Sequence, residues 1–281
     1  MNRAIRLWLG VLAGVFLGAF AAPLWAQAGK AGFSIGVAPH TSARVILEMY
    51  QPLRAHLEKS LGMPVEILTA PDFTEFARRA LNQEYDLAIT TGHQARLLQT
   101  DARYTPLLTY KADFKAVAIV AAKGKVHKPA DLHGAKALGL SATSLVTLWG
   151  QHWLKNSGLS DVPVTYVSAA DSVAQLLLAG DASVGFVSLA NFQKLTPEVQ
   201  AGLSILAESP AMAGRVYVLN SRRAALRGKL DAALASFAES ADGKAYFEKN
   251  KLDGYRKLKP KELDAMDPFA AEVRQTLKQA R

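Results

Sequence analysis

Short apolar segments alternate with amphipathic ones along most of the chain, and this alternation restricts the fold more than any other feature. Segment 33–39, FSIGVAP, has the apolar, β-branched character of a strand. Segment 44–60 follows with apolar residues such as Leu53 and Leu57 at helical spacing, although Pro52 is expected to bend or divide that helix. Because strands separated by helices are joined by crossover connections, the alternation predicts mostly parallel α/β sheets covered by helices.

The chain contains more predicted strands than one small sheet would comfortably hold, which indicates two lobes. Segments 110–113 and 208–210 lie beside long apolar strands and are the best candidate crossings between the lobes. We therefore predict a first lobe made of residues 29–112 plus 210–281 and an inserted second lobe of residues 113–209. The helical segments after the second crossing are expected to return and complete the first lobe.

The first residues have the pattern of a secretory signal peptide. Arg3 and Arg6 precede an apolar run at 7–22, and small residues ending at Ala28 suit a signal peptidase. The run is shorter than the roughly 20 residues of a membrane-spanning helix, which favours cleavage near Ala28 over an uncleaved anchor. The chain has no Cys, which excludes a disulfide scaffold, a thiolate metal site and a lipid anchor on Cys.

Small hydroxyl residues follow five of the predicted strands, where each strand turns into a helix. The densest group is Ser141, Thr143 and Ser144, within KALGLSATSLVTLWG at 136–150. The other strand ends carry Thr41 and Ser42 beside His40, Thr91 beside Gly92 and His93, Ser168, and Ser188. Ligands of open α/β sheets bind at the carboxyl ends of strands, where helix N-termini offer unpaired N–H groups. The pattern predicts a site for a small anion that needs no buried Lys or Arg.

The residues alone leave two other interpretations of these hydroxyls open. Ser and Thr are common helix N-caps, each contributing about 1 kcal/mol, although one cap needs one hydroxyl and the turn at 141–144 has three. A catalytic serine is the second, since residues 139–143 nearly match the G-x-S-x-G nucleophile elbow. However, Thr143 replaces the final Gly, and the only His after Ser141 is His152. We therefore predict no catalytic residues.

The sequence predicts neither a metal ion nor another cofactor. His127, Asp131 and His133 have a spacing that could hold a metal, but they lie in a Lys-rich segment that indicates a solvated loop. The glycine motifs of nucleotide sites are absent from the sequence. The net charge of +9 is scattered along the chain, which gives slight support to an anionic ligand, and export argues against nucleic acid as a partner.

In the order of its segments the chain resembles the periplasmic substrate-binding proteins of the phosphate, phosphite and phosphonate ABC transporters. The segments that carry the resemblance are GVAP, YQPLRAHLEKSLGMPVEI, YDLAITTGHQARL, HKPADLHGAKALGLSATS, LLLAGDASVGFVSL and GKAYFEKNKLDGYRKL. The resemblance spans about 33–280. It implies the type II periplasmic binding protein fold, with two α/β lobes and two hinge crossings. It also implies a non-enzymatic, monomeric periplasmic protein that delivers a small anion to a membrane permease.

The resemblance assigns expected roles to the strand-end residues. It implies that Ser141, Thr143 and Ser144 hold ligand oxygens from the second lobe. The loop around His40 and the turn at 91–93 would then face the ligand from the first lobe.

Two departures from the family pattern bear on the ligand. Phosphonate binders usually have Ser-His after the strand matching VTYVS, whereas Ala169 follows Ser168 here. They also usually have an acidic residue where Ser188 stands. An aminoalkyl phosphonate would need acidic partners for its ammonium group, so we expect a simpler oxyanion or a small organic acid. A periplasmic sensing module for a membrane receptor or kinase is the alternative function, because it would use the same fold.

Overall fold

The computed structural model describes residues 32–279, which form an α/β protein with two sheets. The first sheet contains β1 (Phe33–Val37), β2 (Val65–Leu68), β3 (Leu87–Thr91), β4 (Tyr104–Tyr110), β10 (Arg215–Asn220) and β11 (Tyr255–Arg256). The second contains β5 (Ala116–Ala121), β6 (Ala137–Gly139), β7 (Val164–Tyr166), β8 (Val184–Ser188) and β9 (Leu203–Glu208). The predicted signal peptide lies outside the described residues.

Helices flank both sheets. They are α1 (Ala43–Leu61), α2 (Phe73–Leu81), α3 (Gly92–Asp101), α4 (Leu145–Asn156), α5 (Ala170–Ala179), α6 (Leu189–Phe192), α7 (Pro197–Ala201), α8 (Arg227–Glu239), α9 (Ala241–Asn250) and α10 (Asp267–Gln279). Short 3-10 turns lie at Pro129–Leu132, Ser221–Leu226 and Glu262–Met266. Within the described residues, no helix combines the length and the apolar character that crossing a bilayer requires.

The predicted two-lobed α/β architecture is confirmed, but the sheets are mixed rather than mostly parallel as predicted. The first sheet has the order β11-β4-β10-β3-β1-β2, with parallel pairing of β1 to β2 and β3. The second has the order β7-β6-β8-β5-β9, with parallel pairing of β6 to β7 and β8. The strands next to the crossings, β4, β5, β9 and β10, pair antiparallel with their neighbours. Each sheet therefore has a parallel part extended by the antiparallel strands that connect the lobes.

The chain passes between the two sheets twice, after β4 and after β9. The two connections run side by side, because the Met212 N–H donates to the Phe114 carbonyl at 2.8 Å and the Ser209 N–H donates to the Ala116 carbonyl at 2.8 Å. The Ala116 N–H in turn donates to Ser209 Oγ at 2.9 Å. Such a paired two-strand connection suits a hinge. The exact lobe boundaries at 112/113 and 209/210 stay predictions.

Two proline positions differ from expectation. Helix α1 continues through Pro52, and the carbonyl that loses its hydrogen bond there belongs to Glu48, an exposed residue that water can reach. Strand β4, which the sequence analysis did not predict, contains Pro106 opposite Val218, where the register with β10 shifts. The residue left without a partner by the shift is Leu107, next to the proline, which cannot donate to the ladder.

Alternating side chains of the first sheet face two separate cores. In β1, β2, β3 and β10, odd-numbered positions such as Ile35 and Tyr217 pack against α1, α8 and α9, whereas even-numbered positions such as Val216 pack against α2 and α3. Helix α4 covers one face of the second sheet but also reaches the first lobe. Its Leu145 and Leu148 are buried among side chains of α2, α3 and α10. The start of α4 therefore lies in the contact between the lobes.

Candidate functional site

A cavity of about 80 Å³ lies between the two sheets. One water needs roughly 10–15 Å³ by the same measure, so the cavity has room for a small ligand. Its polar lining consists of His40, Thr90, Thr91, Ser144, Ser188, Asn191 and Arg215. Its apolar lining consists of Ala38, Phe73, Ile89, Phe114, Leu140, Leu145, Val146 and Ala190. No described residue of this lining carries a carboxylate, so the cavity suits an anion with a small apolar part.

Four of the predicted strand-end residues line the cavity, two from each lobe: His40, Thr91, Ser144 and Ser188. Thr91 precedes α3 and Ser144 precedes α4, and neither side chain caps its helix. The hydroxyls of both residues therefore do not serve as helix N-caps. Ser188 does act as a cap, because its Oγ accepts from the Asn191 N–H at 3.1 Å.

Thr91 carries the clearest sign of an absent partner. Its side chain is 9 % exposed, and its Oγ1 is buried without a hydrogen-bond partner among the described residues. A buried hydroxyl without a partner costs roughly 1–3 kcal/mol. A ligand oxygen in the cavity would remove that cost.

Arg215 is a cavity residue that the sequence analysis did not identify. It begins β10, pairs in register with Thr91, and lines the same cavity. No described Asp or Glu lies within ion-pair distance of it, and its Nη1 contacts Met49 Sδ at 3.9 Å. The expectation that the site needs no buried cation therefore does not describe this cleft. An Arg that opens an otherwise apolar strand beside a hinge crossing was the available signal.

Phenol groups surround Arg215 on the inner face of the first sheet. Tyr50, Tyr110 and Tyr246 are close enough to interact with its charge. Tyr110 Oη forms hydrogen bonds with Tyr246 Oη at 2.6 Å and with Tyr217 Oη at 2.8 Å. Burial raises the pKa of Tyr110 and Tyr246 well above 10, so these phenols stay neutral and supply no counter-charge.

Two lysines add positive potential beside Arg215. Burial lowers the pKa of Lys194, and the charges of Arg215 and Lys251 lower it further. The charges of Arg215 and Lys251 thus disfavour a proton on Lys194, a repulsion that adds to the larger effect of burial. A bound anion would relieve this repulsion, which is the electrostatic pattern of a site built for negative charge.

His40 meets the cavity as a neutral imidazole. Its Nδ1 lies 2.9 Å from the Ala38 carbonyl oxygen, and its Nε2 is buried without a partner among the described residues. Burial holds the pKa of His40 well below 6.5, and the charges of Arg215 and Lys194 lower it further against the hydrogen bond to Ala38. The ring therefore stays uncharged at neutral pH.

Thr143 and His93 join the two lobes. The His93 Nε2–H donates to the Thr143 carbonyl at 2.9 Å, and Thr143 Oγ1 forms a hydrogen bond with Thr74 Oγ1 at 3.1 Å. Both residues are fully buried. Burial lowers the pKa of His93 to about 4, against the opposing effect of its bond to Thr143. Their positions therefore suit holding the lobes together at the edge of the cavity.

The remaining predicted site residues do not line the cavity. Thr41 and Ser168 are exposed, and Ser42 caps α1 by accepting from the Val45 N–H at 3.4 Å. The Ser141 carbonyl accepts from the Ser144 N–H at 3.2 Å, and this bond shapes the turn before α4. Contact of these residues with a ligand stays a prediction.

Gly92 has a steric role in the turn that precedes α3. Its N–H donates to the Ala213 carbonyl at 3.1 Å. A Cβ at Gly92 would lie 2.5 Å from that oxygen, which no side chain tolerates. The close approach places the start of β10, and so Arg215, beside Thr91.

In the candidate metal cluster of His127, Asp131 and His133, the carboxylate of Asp131 has a structural role. Asp131 Oδ2 accepts from the backbone N–H groups of His127 and Lys128 at 2.9 and 3.1 Å. Residues 32–279 contain no group of three or more His, Asp or Glu side chains that could hold a metal ion.

Exchanging Ser144 for Ala tests whether its free hydroxyl serves a ligand. Because Ser144 Oγ caps nothing, we expect the melting temperature of the unliganded protein to change little. Loss of a hydrogen bond to a charged ligand should weaken binding by roughly 10- to 100-fold. Thr143→Val is the matched variant: it removes the bond to Thr74 and should lower stability. Calorimetric titration and thermal melts measure both quantities, and equal losses in the two variants would contradict separate roles.

Comparison with known proteins gives the family. The family model described as ABC transporter, phosphonate, periplasmic substrate-binding protein matches residues 35–263. No curated protein matches the chain.

Solved structures with the same fold are more distant in sequence. The structure of XAC2383 from Xanthomonas citri bound to chloride ion is 18 % identical, with a TM-score of 0.74, covering 89 % of this chain and 99 % of that one. PhnD1 from Prochlorococcus marinus in complex with methylphosphonate is 13 % identical, with a TM-score of 0.76 and coverage of 87 % and 98 %. The periplasmic aliphatic sulphonate binding protein SsuA from Escherichia coli is 12 % identical, with a TM-score of 0.59 and coverage of 87 % of both chains.

These structures show the fold, and the family model extends over most of the described chain. The protein therefore belongs to the phosphonate family of periplasmic substrate-binding proteins of ABC transporters.

Proposed function

We propose that the protein captures a small oxyanion of the phosphate, phosphite or phosphonate type between its lobes and delivers it to an ABC permease. The observation that carries the proposal is the cavity itself, where Arg215 faces hydroxyl groups from both lobes and no described carboxylate. The structures of XAC2383 bound to chloride ion and of PhnD1 in complex with methylphosphonate support an anionic ligand for this fold.

The apolar part of the lining limits the size and shape of the ligand. Phe73, Ile89 and Phe114 lie on the same cavity as Arg215, so a small alkyl substituent would be shielded from water while the oxyanion meets the cation. An ammonium group would find no carboxylate among the described lining residues. The cavity thus favours a simple oxyanion over an aminoalkyl phosphonate.

Capture follows from the position of the cavity between the sheets. A ligand bridging Thr91 of the first lobe and Ser144 of the second would favour the closed arrangement in which both residues face it. The paired connections at Phe114 and Met212 would serve as the hinge. The permease would then recognise the closed form of the monomer in the periplasm. No covalent chemistry is required by this role.

Thermal melts with a panel of anions test the proposal. The panel contains phosphate, phosphite, methylphosphonate, methanesulfonate and acetate, added to protein freed of co-purified ligand by unfolding and refolding. A ligand at about 100 times its Kd adds about 2.7 kcal/mol to the free energy of unfolding, which raises the Tm by roughly 5–10 °C for a chain of this size. If no phosphorus oxyanion raises the Tm, the proposal is wrong.

A periplasmic sensing module would use the same cleft, so ligand binding alone does not separate the two roles. Ligand-dependent stimulation of the cognate permease's ATPase activity in membranes would support delivery. Ligand-dependent binding to a receptor kinase, with no effect on a permease, would support the alternative.

A further inference from the structure

The hydrogen bonds of His40 indicate which of its ring nitrogens can accept a hydrogen bond from a ligand. A carbonyl oxygen only accepts, so the 2.9 Å contact between Nδ1 and the Ala38 carbonyl places the ring proton on Nδ1. A neutral imidazole has one ring proton, so Nε2 presents a lone pair. That atom is buried, and no described residue donates to it.

We propose that His40 accepts a hydrogen bond from a protonated oxygen of the ligand, so that the site selects an oxyacid monoanion that retains one O–H. This inference rests on the proposed function and deepens it. A singly protonated phosphonate or phosphite offers both required groups, since its ionised oxygens suit Arg215 and its P–OH suits His40. A sulfonate is fully ionised at neutral pH and has no O–H to donate.

The charged and titratable groups around His40 favour this arrangement. Arg215 on β10 and Lys194 after α6 oppose a second proton on the ring, and Tyr50 on α1 packs edge-on with ring centroids 6.4 Å apart. Burial acts in the same direction. The imidazole therefore remains an acceptor at neutral pH and above, and a bare anionic oxygen facing Nε2 would meet a lone pair.

Coulomb attraction alone predicts the opposite pH dependence. Arg215, Lys194 and Lys251 would attract a phosphonate dianion more strongly than a monoanion, so affinity would rise with pH. If His40 requires the ligand proton, affinity falls by about tenfold per pH unit above the second pKa of the free ligand. The sign of the slope separates the two explanations.

The test compares methylphosphonate with methanesulfonate by calorimetric titration between pH 6 and 9. The two ligands have nearly the same shape, and the protonated phosphonate has the same charge as the sulfonate. We expect methanesulfonate to bind at least about 100-fold more weakly at pH 6, since the buried acceptor stays unpaired. We expect the methylphosphonate affinity to fall above the ligand's second pKa.

Three variants assign these effects. His40→Asn keeps a donor for the Ala38 carbonyl but has no acceptor at the Nε2 position, so the preference for phosphonate and the negative slope should both be lost. His40→Gln extends an amide oxygen towards the Nε2 position and should retain part of both. Lys194→Gln should weaken both ligands at every pH and keep the slope, which controls for deprotonation of Lys194 itself.

The outcomes distinguish this inference from the proposed function. Equal affinity for the two ligands, or an affinity for methylphosphonate that rises with pH, would overturn the inference and leave oxyanion capture standing. Failure of methylphosphonate, phosphate and phosphite to bind at any pH would overturn both.

Discussion

Replacing Arg215 with Met is expected to remove most of the affinity for the anion without lowering the stability of the unliganded protein. Arg215 lines the cavity and has no carboxylate partner among the described residues, so the ligand would supply its counter-charge. Removing one partner of an enclosed charge pair costs about 2–5 kcal/mol, which is roughly a 30- to 5000-fold loss of affinity. Calorimetric titration with methylphosphonate at pH 6 measures this loss.

The stability of the unliganded Arg215→Met variant should not fall along with its ligand affinity. A cation placed among apolar and phenolic groups without a counter-ion loses hydration and gains no ion pair. Met has a similar length and can pack beside Met49, so we expect an unchanged or raised Tm in the absence of ligand.

Arg54→Met provides the matched control. Arg54 is also partly buried, but it forms an ion pair with Glu58 at 2.6 Å and lies outside the cavity lining. Its loss should cost up to about 1 kcal/mol of stability and leave ligand affinity unchanged. If Arg215→Met instead lowers stability and affinity in equal measure, Arg215 has a structural role and the anion lacks its proposed partner.

The contrast between Arg215 and Ser144 explains how far the sequence predicts this site. Ser144 follows a strand and precedes a helix, so its place at the cleft follows from local pattern and from the general position of ligands in α/β sheets. Arg215 begins a strand that is antiparallel to β3 and separated from Thr91 by more than a hundred residues. Its position depends on the return of the chain from the second lobe, which no local pattern encodes.

The roles of individual atoms were equally inaccessible to sequence reasoning. Thr143 and Ser144 are neighbours with similar side chains, yet Thr143 is bonded to Thr74 of the first lobe and Ser144 faces the cavity. The direction of each side chain depends on the phase of the turn before α4, in which the Ser141 carbonyl accepts from Ser144. The sequence therefore predicts the hydroxyl residues at 141–144 as a group. Which of them joins the lobes and which lines the cavity depends on the folded structure.

The positions of helices with strong apolar periodicity are easier to predict from the sequence than the site residues. Helix α4 begins at Leu145, directly after Ser144 and the predicted strand-to-helix turn at 141–144. The strand β4 was missed because Pro106 breaks the local pattern, and tertiary pairing with β10 overrides it. Local propensity thus located most elements, and the long-range pairing located the site.

Lowering the pH is expected to weaken the contact between the lobes through His93. Its pKa of about 4 lies below the ordinary value of 6.5, so the folded, closed state favours the neutral ring. The stabilisation is complete above pH 6.5 and is lost as the pH falls from 6.5 through 4. The total loss of unfolding free energy is on the order of 3 kcal/mol, of which about 2 kcal/mol is lost by pH 5. Urea unfolding at pH 7.5, 6.5, 5.5 and 5.0 measures this decline.

Three variants, two at His93 and one at His56, identify the origin of the decline in stability. His93→Gln can still donate to the Thr143 carbonyl but does not titrate, so it should keep the affinity at pH 7.5 and lose much of the acid slope. His93→Leu also removes the bond between the lobes and should weaken ligand binding at every pH. His56, whose Nε2 bonds Ser236 Oγ at the surface, gives a control in His56→Gln, which should keep the full slope.

His40 titrates in the same direction, because burial and neighbouring cations also hold its pKa well below 6.5. The His40→Asn and His93→Gln changes should therefore flatten the slope additively, since the two rings share no hydrogen-bond partner. An acid slope that survives in the double variant would mean that neither buried ring controls the response. The carboxylates that pair with arginines, such as Asp86 and Glu262, have lowered pKa values and remain ionised at pH 5. Between pH 6.5 and 5 the unfolded chain takes up protons at His40 and His93 that the folded protein does not, so loss of stability in that interval reports on these two rings.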